Sequence, residues 1–313
     1  MRFERYVLRV GGLENASLAY ATWGALNAAG DNAVLLPSYY TGTHERYAAL
    51  IGAGRALDPA RYFIVAVNLF GNGVSTSPSH GVAFPRLTIE DNVRAHHALL
   101  QSLGVTSLAL AAGWSMGAMQ ALHWAMRYPA MVRNVVAVCG TAFCWPINGA
   151  FLQGIAPILE NADAIGEHLA LDLFGRAYCG WAYSAEFFRA ALYRKLGFET
   201  LQALLDDWAA DHQSHRAADL LAVLHAWGDT ACAPEAAKAA LARITAHCFL
   251  MPCDTDSYFT VADAAFEAGC IAKATLLPLS SPFGHCAGAP GRFPDESARI
   301  ETVLAQALGD NPA

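Results

Sequence analysis

The pentapeptide Gly113-Trp114-Ser115-Met116-Gly117 constrains this chain more than any other feature, because of what flanks it. Before it runs SLALAAGW (107–114), a continuous apolar stretch that reads as a buried strand. After it comes MGAMQALHWAMRYP (116–129), which has helical spacing and is ended by Pro129. A Gly-x-Ser-x-Gly between strand and helix implies a sharp, strained turn, with glycines keeping side chains out of the crowded positions beside the serine. The turn also presents Ser115 at the positive end of the following helix, where the N–H of Met116 can meet a developing oxyanion. Outside that setting the same five letters would carry little weight in a Gly-rich chain.

The remaining segments extend this reading. RYVLRV and SLAYATWG, separated by Gly11-Gly12, form a predicted hairpin. AVLLP (33–37), YFIVAVNLF (62–70) and NVVAVCG (134–140) are short apolar strands, the first two ending in polar, Gly-containing loops. LTIEDNVRAHHALLQSLG (87–104) has helical spacing, with Thr88 as cap and Gly104 as stop. Alternating strands and helices predict an α/β fold with a mostly parallel sheet and helices on both faces. From 145 to 235 strands vanish and helical spacing dominates. The expected organisation is thus a core over 1–144, a helical lid over 145–235, and a second part of the core over 236–313. That last part reads as HCFLMPCDTD (247–256), a helix, ATLLPLSS (274–281), the loop GHCAG and a final helix.

Composition excludes several function classes. A chain of 313 residues, 55% apolar and 15% charged, buries a large core, and a net charge of −7 disfavours nucleic-acid or anionic-membrane partners. No apolar run reaches the roughly 18–20 residues of a membrane span. The charged opening MRFERYVLRVGG does not read as an export signal. Eight cysteines without repeated spacing read as reduced, mostly buried thiols, which with the missing signal predicts a cytoplasmic protein.

A serine hydroxyl needs a histidine to take its proton and an acid to orient that histidine. Of eleven histidines, His285 stands out, in the loop between the predicted last strand and the last helix. His96, His97 and His123 fall within helices, and His225 falls in the helical insertion. His212 and His215 share a spacing that would suit a metal but lack a third ligand, so no metal is expected. For the acid, Asp254 and Asp256 follow the penultimate strand, and chemistry alone leaves both open. Asn68 and Asn72 are open as substrate-orienting groups or as turn residues.

GWSMGAMQALHWAMRYP, FPRLTIEDNVRAHHALLQSLG, NAVLLPSYYTG, MPCDTD and GHCAG together resemble the homoserine O-acetyltransferase-like branch of the α/β-hydrolase superfamily. The resemblance covers nearly all the chain and is weakest in the helical insertion. It implies Ser115 as nucleophile, His285 as base and Asp256, rather than Asp254, as acid. It also implies the Tyr40 N–H as a second oxyanion donor beside Met116. The chain departs from the branch where a lid arginine follows a tyrosine to hold an amino-acid carboxylate, since Tyr183 is followed by Ser184. Arg176, Arg189 and Arg194 remain open as substitutes or as surface charges.

Tyr39, Phe70, Trp114 and Tyr183 are expected substrate-binding residues, with Trp145, Trp181 and Phe187 closing the pocket from the lid. The expected function is serine-dependent hydrolysis of an ester, thioester or amide. The alternatives are O-acyl transfer, with acetyl-CoA or another acyl-CoA as co-substrate, and a non-catalytic binding protein. The expected partner is a small acyl substrate, with no cofactor. A homodimer through lid helices is the expected assembly.

Overall fold

The computed structural model of the chain describes residues 1–309. Strands β1 (Arg2–Val10) and β2 (Leu13–Trp23) form the antiparallel hairpin, turned by Gly11 and Gly12, whose φ angles of 55° and 92° suit a tight hairpin turn. Six strands follow: β3 (Ala33–Pro37), β4 (Phe63–Val67), β5 (Leu108–Trp114), β6 (Asn134–Val138), β7 (His247–Met251) and β8 (Ala274–Leu276). They complete an eight-stranded sheet in the order β1-β2-β4-β3-β5-β6-β7-β8. The β1–β2 and β2–β4 pairs are antiparallel and every later pair is parallel.

Alternate residues of β3 feed different cores. Ala33 and Leu35 join one apolar cluster, Val34 and Leu36 the other. Both faces of the sheet are therefore covered, which is why these strands read as unbroken apolar runs. Helix α1 (Ile89–Ser102) begins with a capping box. The Thr88 hydroxyl accepts from the Asp91 N–H, and the Asp91 carboxylate accepts from the Thr88 N–H. Helix α2 (Met116–Arg127) leaves the sheet directly from β5.

Between β6 and β7 lie only helices: α3 (Pro146–Glu160), α4 (Ala162–Ile165), α5 (Glu167–Ala182), α6 (Ala185–Arg189), α7 (Leu201–His212), α8 (Ala217–Gly228) and α9 (Pro234–Leu241). Helices α10 (Val261–Cys270) and α11 (Pro294–Ala307) complete the core. The strand expected over 274–281 stops at Leu276. Pro252, just after β7, has no N–H to give between the bonds from Cys248 to the Lys273 carbonyl and from Asp254 to the Leu279 carbonyl, and pairing resumes only as a Cys253–Leu279 bridge. Among the described residues no helix is long and apolar enough to cross a membrane.

Candidate active site

Ser115 takes the strained conformation its setting implies, with φ 57° and ψ −127° between β5 and α2. The flanking glycines are required by contact. A Cβ on Gly113 would strike the backbone of Gly117, and one on Gly117 would stand 2.5 Å from the Pro37 carbonyl oxygen and 2.7 Å from the Tyr47 hydroxyl. Gly140, after β6, is equally confined, since its Cβ would lie 2.6 Å from the Ser115 carbonyl oxygen. Strand ends β3, β5 and β6 thus converge on one residue with no room for side chains between them.

His285 and Asp256 meet across two loops. Nδ1 of His285 lies 2.7 Å from Oδ2 of Asp256, and the two residues are only 3% and 7% exposed. The other Asp256 oxygen accepts the N–H groups of Tyr258 (3.1 Å) and Phe259 (3.0 Å), so its carboxylate is fixed on both sides. Asp254 instead accepts the backbone N–H of Ser281 and stays on the surface. Thr255 completes the stitching. Its hydroxyl donates to the Ser281 carbonyl and accepts from the Gly284 N–H. Consecutive residues therefore divide the work: Asp254 and Thr255 hold the loop, and Asp256 holds the ring.

Ser115 and His285 both line a cavity of about 440 Å³. The N–H of Met116 belongs to the first helical turn, where no intrahelical acceptor exists. The loop carrying Tyr40 is anchored from α2 by Gln120, whose amide donates to the carbonyls of Ser38 (2.8 Å) and Met116 (3.0 Å). From the 3-10 helix His44–Leu50, Tyr47 donates its hydroxyl to the carbonyl of Pro37 at the end of β3, at 2.8 Å. Gln120, Tyr47 and Thr255 are missed by the sequence reading. Gln120 lies one helical turn beyond Met116, the one signal that could have found it.

The cavity wall corrects the expected substrate residues. Tyr39 and Trp114 line it; Phe70 and Tyr183 do not. Phe70 packs into the core with its N–H on the Asn92 side chain. Tyr183 stacks on Phe187 and accepts a hydrogen bond from Arg292, so it supports a wall residue without being one. Trp145, Trp181 and Phe187 are likewise outside the lining, Trp145 because its indole N–H is bound by buried Glu267. The helical layer contributes Tyr178 and Ala182 from α5, and Asp207, Trp208, Asp211 and His212 from α7. Arg46 and Arg292 come from core loops, whereas Arg176 is engaged by Asp172 and Asp206.

Asn68 and Asn72 also lie outside the lining. Asn68 donates to the Ala19 carbonyl and accepts from the His44 N–H, and Asn72 caps the turn at Val74 and Ser75. His212 is bonded to the Trp208 carbonyl, and among the described residues no group of three potential ligands stands ready for a metal.

A serine on a strand-to-helix turn at the edge of a mostly parallel sheet, with an Asp–His pair delivered by later loops, defines the α/β-hydrolase class. The family model described as alpha/beta hydrolase fold matches residues 34–157. The ethyl acetate hydrolase of Pseudomonas veronii is 36% identical over 290 residues, covering 86% of this chain and 83% of that protein. The homoserine O-acetyltransferase of Trichormus variabilis is 40% identical over 152 residues, covering 44% of this chain and 42% of its own. Among solved structures, the acetyl esterase MekB superposes with a TM-score of 0.93 at 32% identity, covering 99% of this chain and 97% of its own. The chain therefore belongs to the α/β-hydrolase family, in the branch that holds esterases and homoserine O-acetyltransferases, and it is an enzyme.

Proposed function

We propose that this enzyme hydrolyses carboxylic esters of small alcohols, acetyl esters among them, through an acyl-enzyme on Ser115. The observation that carries this reading is the 2.7 Å Asp256–His285 pair, whose histidine shares one cavity with the strained serine. Ser115 Oγ attacks the ester carbonyl carbon while its proton passes to Nε2 of His285. Asp256 holds the Nδ1–H tautomer and stabilises the imidazolium. The N–H groups of Met116 and Tyr40 receive the oxyanion; losing one such donor typically costs about 2.7–4 kcal/mol. His285 then protonates the departing alcohol, and a water deprotonated by the same ring releases the acid. Tyr39 and Trp114 line the cavity beside the serine. The printed activities of the ethyl acetate and acetyl ester hydrolases support the choice of small esters.

A second reading, O-acyl transfer from acetyl-CoA or another acyl-CoA to a small hydroxy or amino compound, is supported by the homoserine O-acetyltransferase relatives and by the two arginines at the cavity. The discriminating experiment offers the protein p-nitrophenyl acetate and ethyl acetate, and separately acetyl-CoA with homoserine or serine. Ester turnover without acceptor-dependent thiol release is the expected result. Thiol release that requires the acceptor, with no ester turnover, would replace hydrolysis by transfer.

Cytoplasmic residence is supported by eight cysteines that are all unbridged. A homodimer through the helical layer is supported by Ile165, Leu169 and Leu173, which expose apolar side chains four residues apart on and beside α5. Sedimentation at micromolar protein tests it; a monomer there would remove that reading.

A further inference from the structure

We infer that Trp114, the residue before the serine, is a positioning residue for the general base: it braces the His285 ring and stabilises the charge that ring acquires during acylation. The inference rests on the proposed serine-hydrolase reading. Trp114 lines the cavity and would pass for a plain substrate wall. Two of its contacts nevertheless go to His285. The indole stacks on the imidazole with centroids 5.1 Å apart and planes 29° apart, and its Nε1–H donates to the His285 carbonyl at 3.2 Å. The same indole leans edge-on against Tyr39, at 4.4 Å between centroids, so it has a support of its own.

Tyr258 and Phe259 also approach the imidazole, at 4.6 and 5.4 Å between centroids. With Trp114, three aromatic rings thus approach the imidazole. When the Ser115 proton moves to Nε2 as the new Oγ–C bond forms, the ring becomes an imidazolium. That proton next passes to the leaving alcohol as the ester C–O bond breaks. A cation over an aromatic face is stabilised by the ring quadrupole, most by tryptophan. The interaction is stronger in the transition state than in the ground state, which is the condition for raising kcat.

Other ionisable groups around His285 do not replace this contact. Asp256 engages Nδ1 at the ring edge, and the Tyr258 phenol pairs with Tyr178 of α5. Cys139, Cys253 and Cys286 surround Asp256 as thiols that burial pushes up, Cys286 to about 11, so they stay neutral. Glu296 of α11 accepts the Ser281 hydroxyl. Arg46, Arg292, Asp207 and Asp211 border the cavity.

The test compares Trp114→Phe and Trp114→Leu with wild type, using p-nitrophenyl acetate. Trp114→Leu should lower kcat on the order of tenfold while leaving KM within about twofold, and Trp114→Phe should recover most of the loss because it retains a ring. A loss expressed only as a raised KM, or a phenylalanine variant no better than leucine, would overturn the inference. Tryptophan fluorescence gives a readout that needs no turnover. The emission difference between wild type and Trp114→Phe should fall as the imidazole protonates, and should lose that pH dependence in His285→Ala. Persistence of the dependence without His285 would also overturn it. An absence of ester turnover in wild type, with the fluorescence signature intact, would instead count against the hydrolase reading alone.

Discussion

The sheet edge and the helical layer face each other across one cavity, and they are built differently. On the sheet side, Tyr47 and Gln120 donate to carbonyls at the end of β3, and Thr255 donates to and Asp254 accepts from the Ser281 backbone, tying the loops after β7 and β8. On the helical side, α5 and α7 present their cavity residues largely through ring packing, such as Tyr178 against Trp208 and Trp208 against His212. Directed bonds hold atoms to the tenths of an ångström that acyl transfer needs, whereas ring packing tolerates substitution. On the proposed function, this contrast puts the chemistry on the sheet edge and substrate choice on the helical wall.

The sharpest way to break that division is at the sheet edge. Ser115→Ala and His285→Ala should each reduce kcat on p-nitrophenyl acetate by ~10⁴-fold or more, while both variants keep the wild-type circular dichroism spectrum. Residual turnover within a hundredfold of wild type would show that the reacting group lies elsewhere. Next comes the pair of neighbouring acids. Asp256→Asn should cost about 10³–10⁴-fold in kcat by losing the tautomer, and Asp254→Asn less than about tenfold, because it only loosens a loop. The reverse ranking would exchange their roles.

The helical wall should respond in a different quantity. Trp208→Ala should change KM and acyl-chain preference severalfold, favouring longer esters, while kcat on the acetate stays within about fivefold. A large loss in kcat would mean that the helical layer also sets the reaction geometry.

The smallest effect belongs to the seam between the two regions. Glu267 on α10 accepts the N–H groups of Ala142 and Phe143 and the Trp145 indole, anchoring the chain as it enters the helical layer. Burial pushes its carboxyl up to about 7, although those three donors pull it down. A carboxyl with a raised folded value keeps a proton that the unfolded chain has already released. Stability from this group is therefore full below the ordinary glutamate range and declines as pH rises towards about 7. Calorimetry at pH 5 and pH 8 should find wild type more stable at the lower value, with a smaller difference in Glu267→Gln.

What could be read from the sequence follows the same division. The turn at Ser115 is a local device, announced by a strand, two glycines and a helix in direct succession, and His285 stands out by its place before the final helix. Asp256 needed the family resemblance, since its distinction from Asp254 lies in which side chain turns inward. The aromatic wall is not legible in the sequence, because proximity to a strand end does not say which face a side chain takes. Phe70 and Tyr183 are both consumed by packing. The residues that do line the cavity from α7, Asp207, Trp208, Asp211 and His212, carry a usable spacing: at i, i+1, i+4 and i+5 they occupy one helical face. Nothing in the linear pattern says that this face, rather than another, looks towards the serine.

His285 stands 171 positions after Trp114 in the chain, yet bonds to it. A polypeptide emerging during synthesis carries the hydroxyl long before it carries the imidazole, and the helical layer is made in between. Such a partial product holds an inert alcohol in a half-built fold. Ester cleavage, once it begins, therefore reports that both ends of this long interval have been joined.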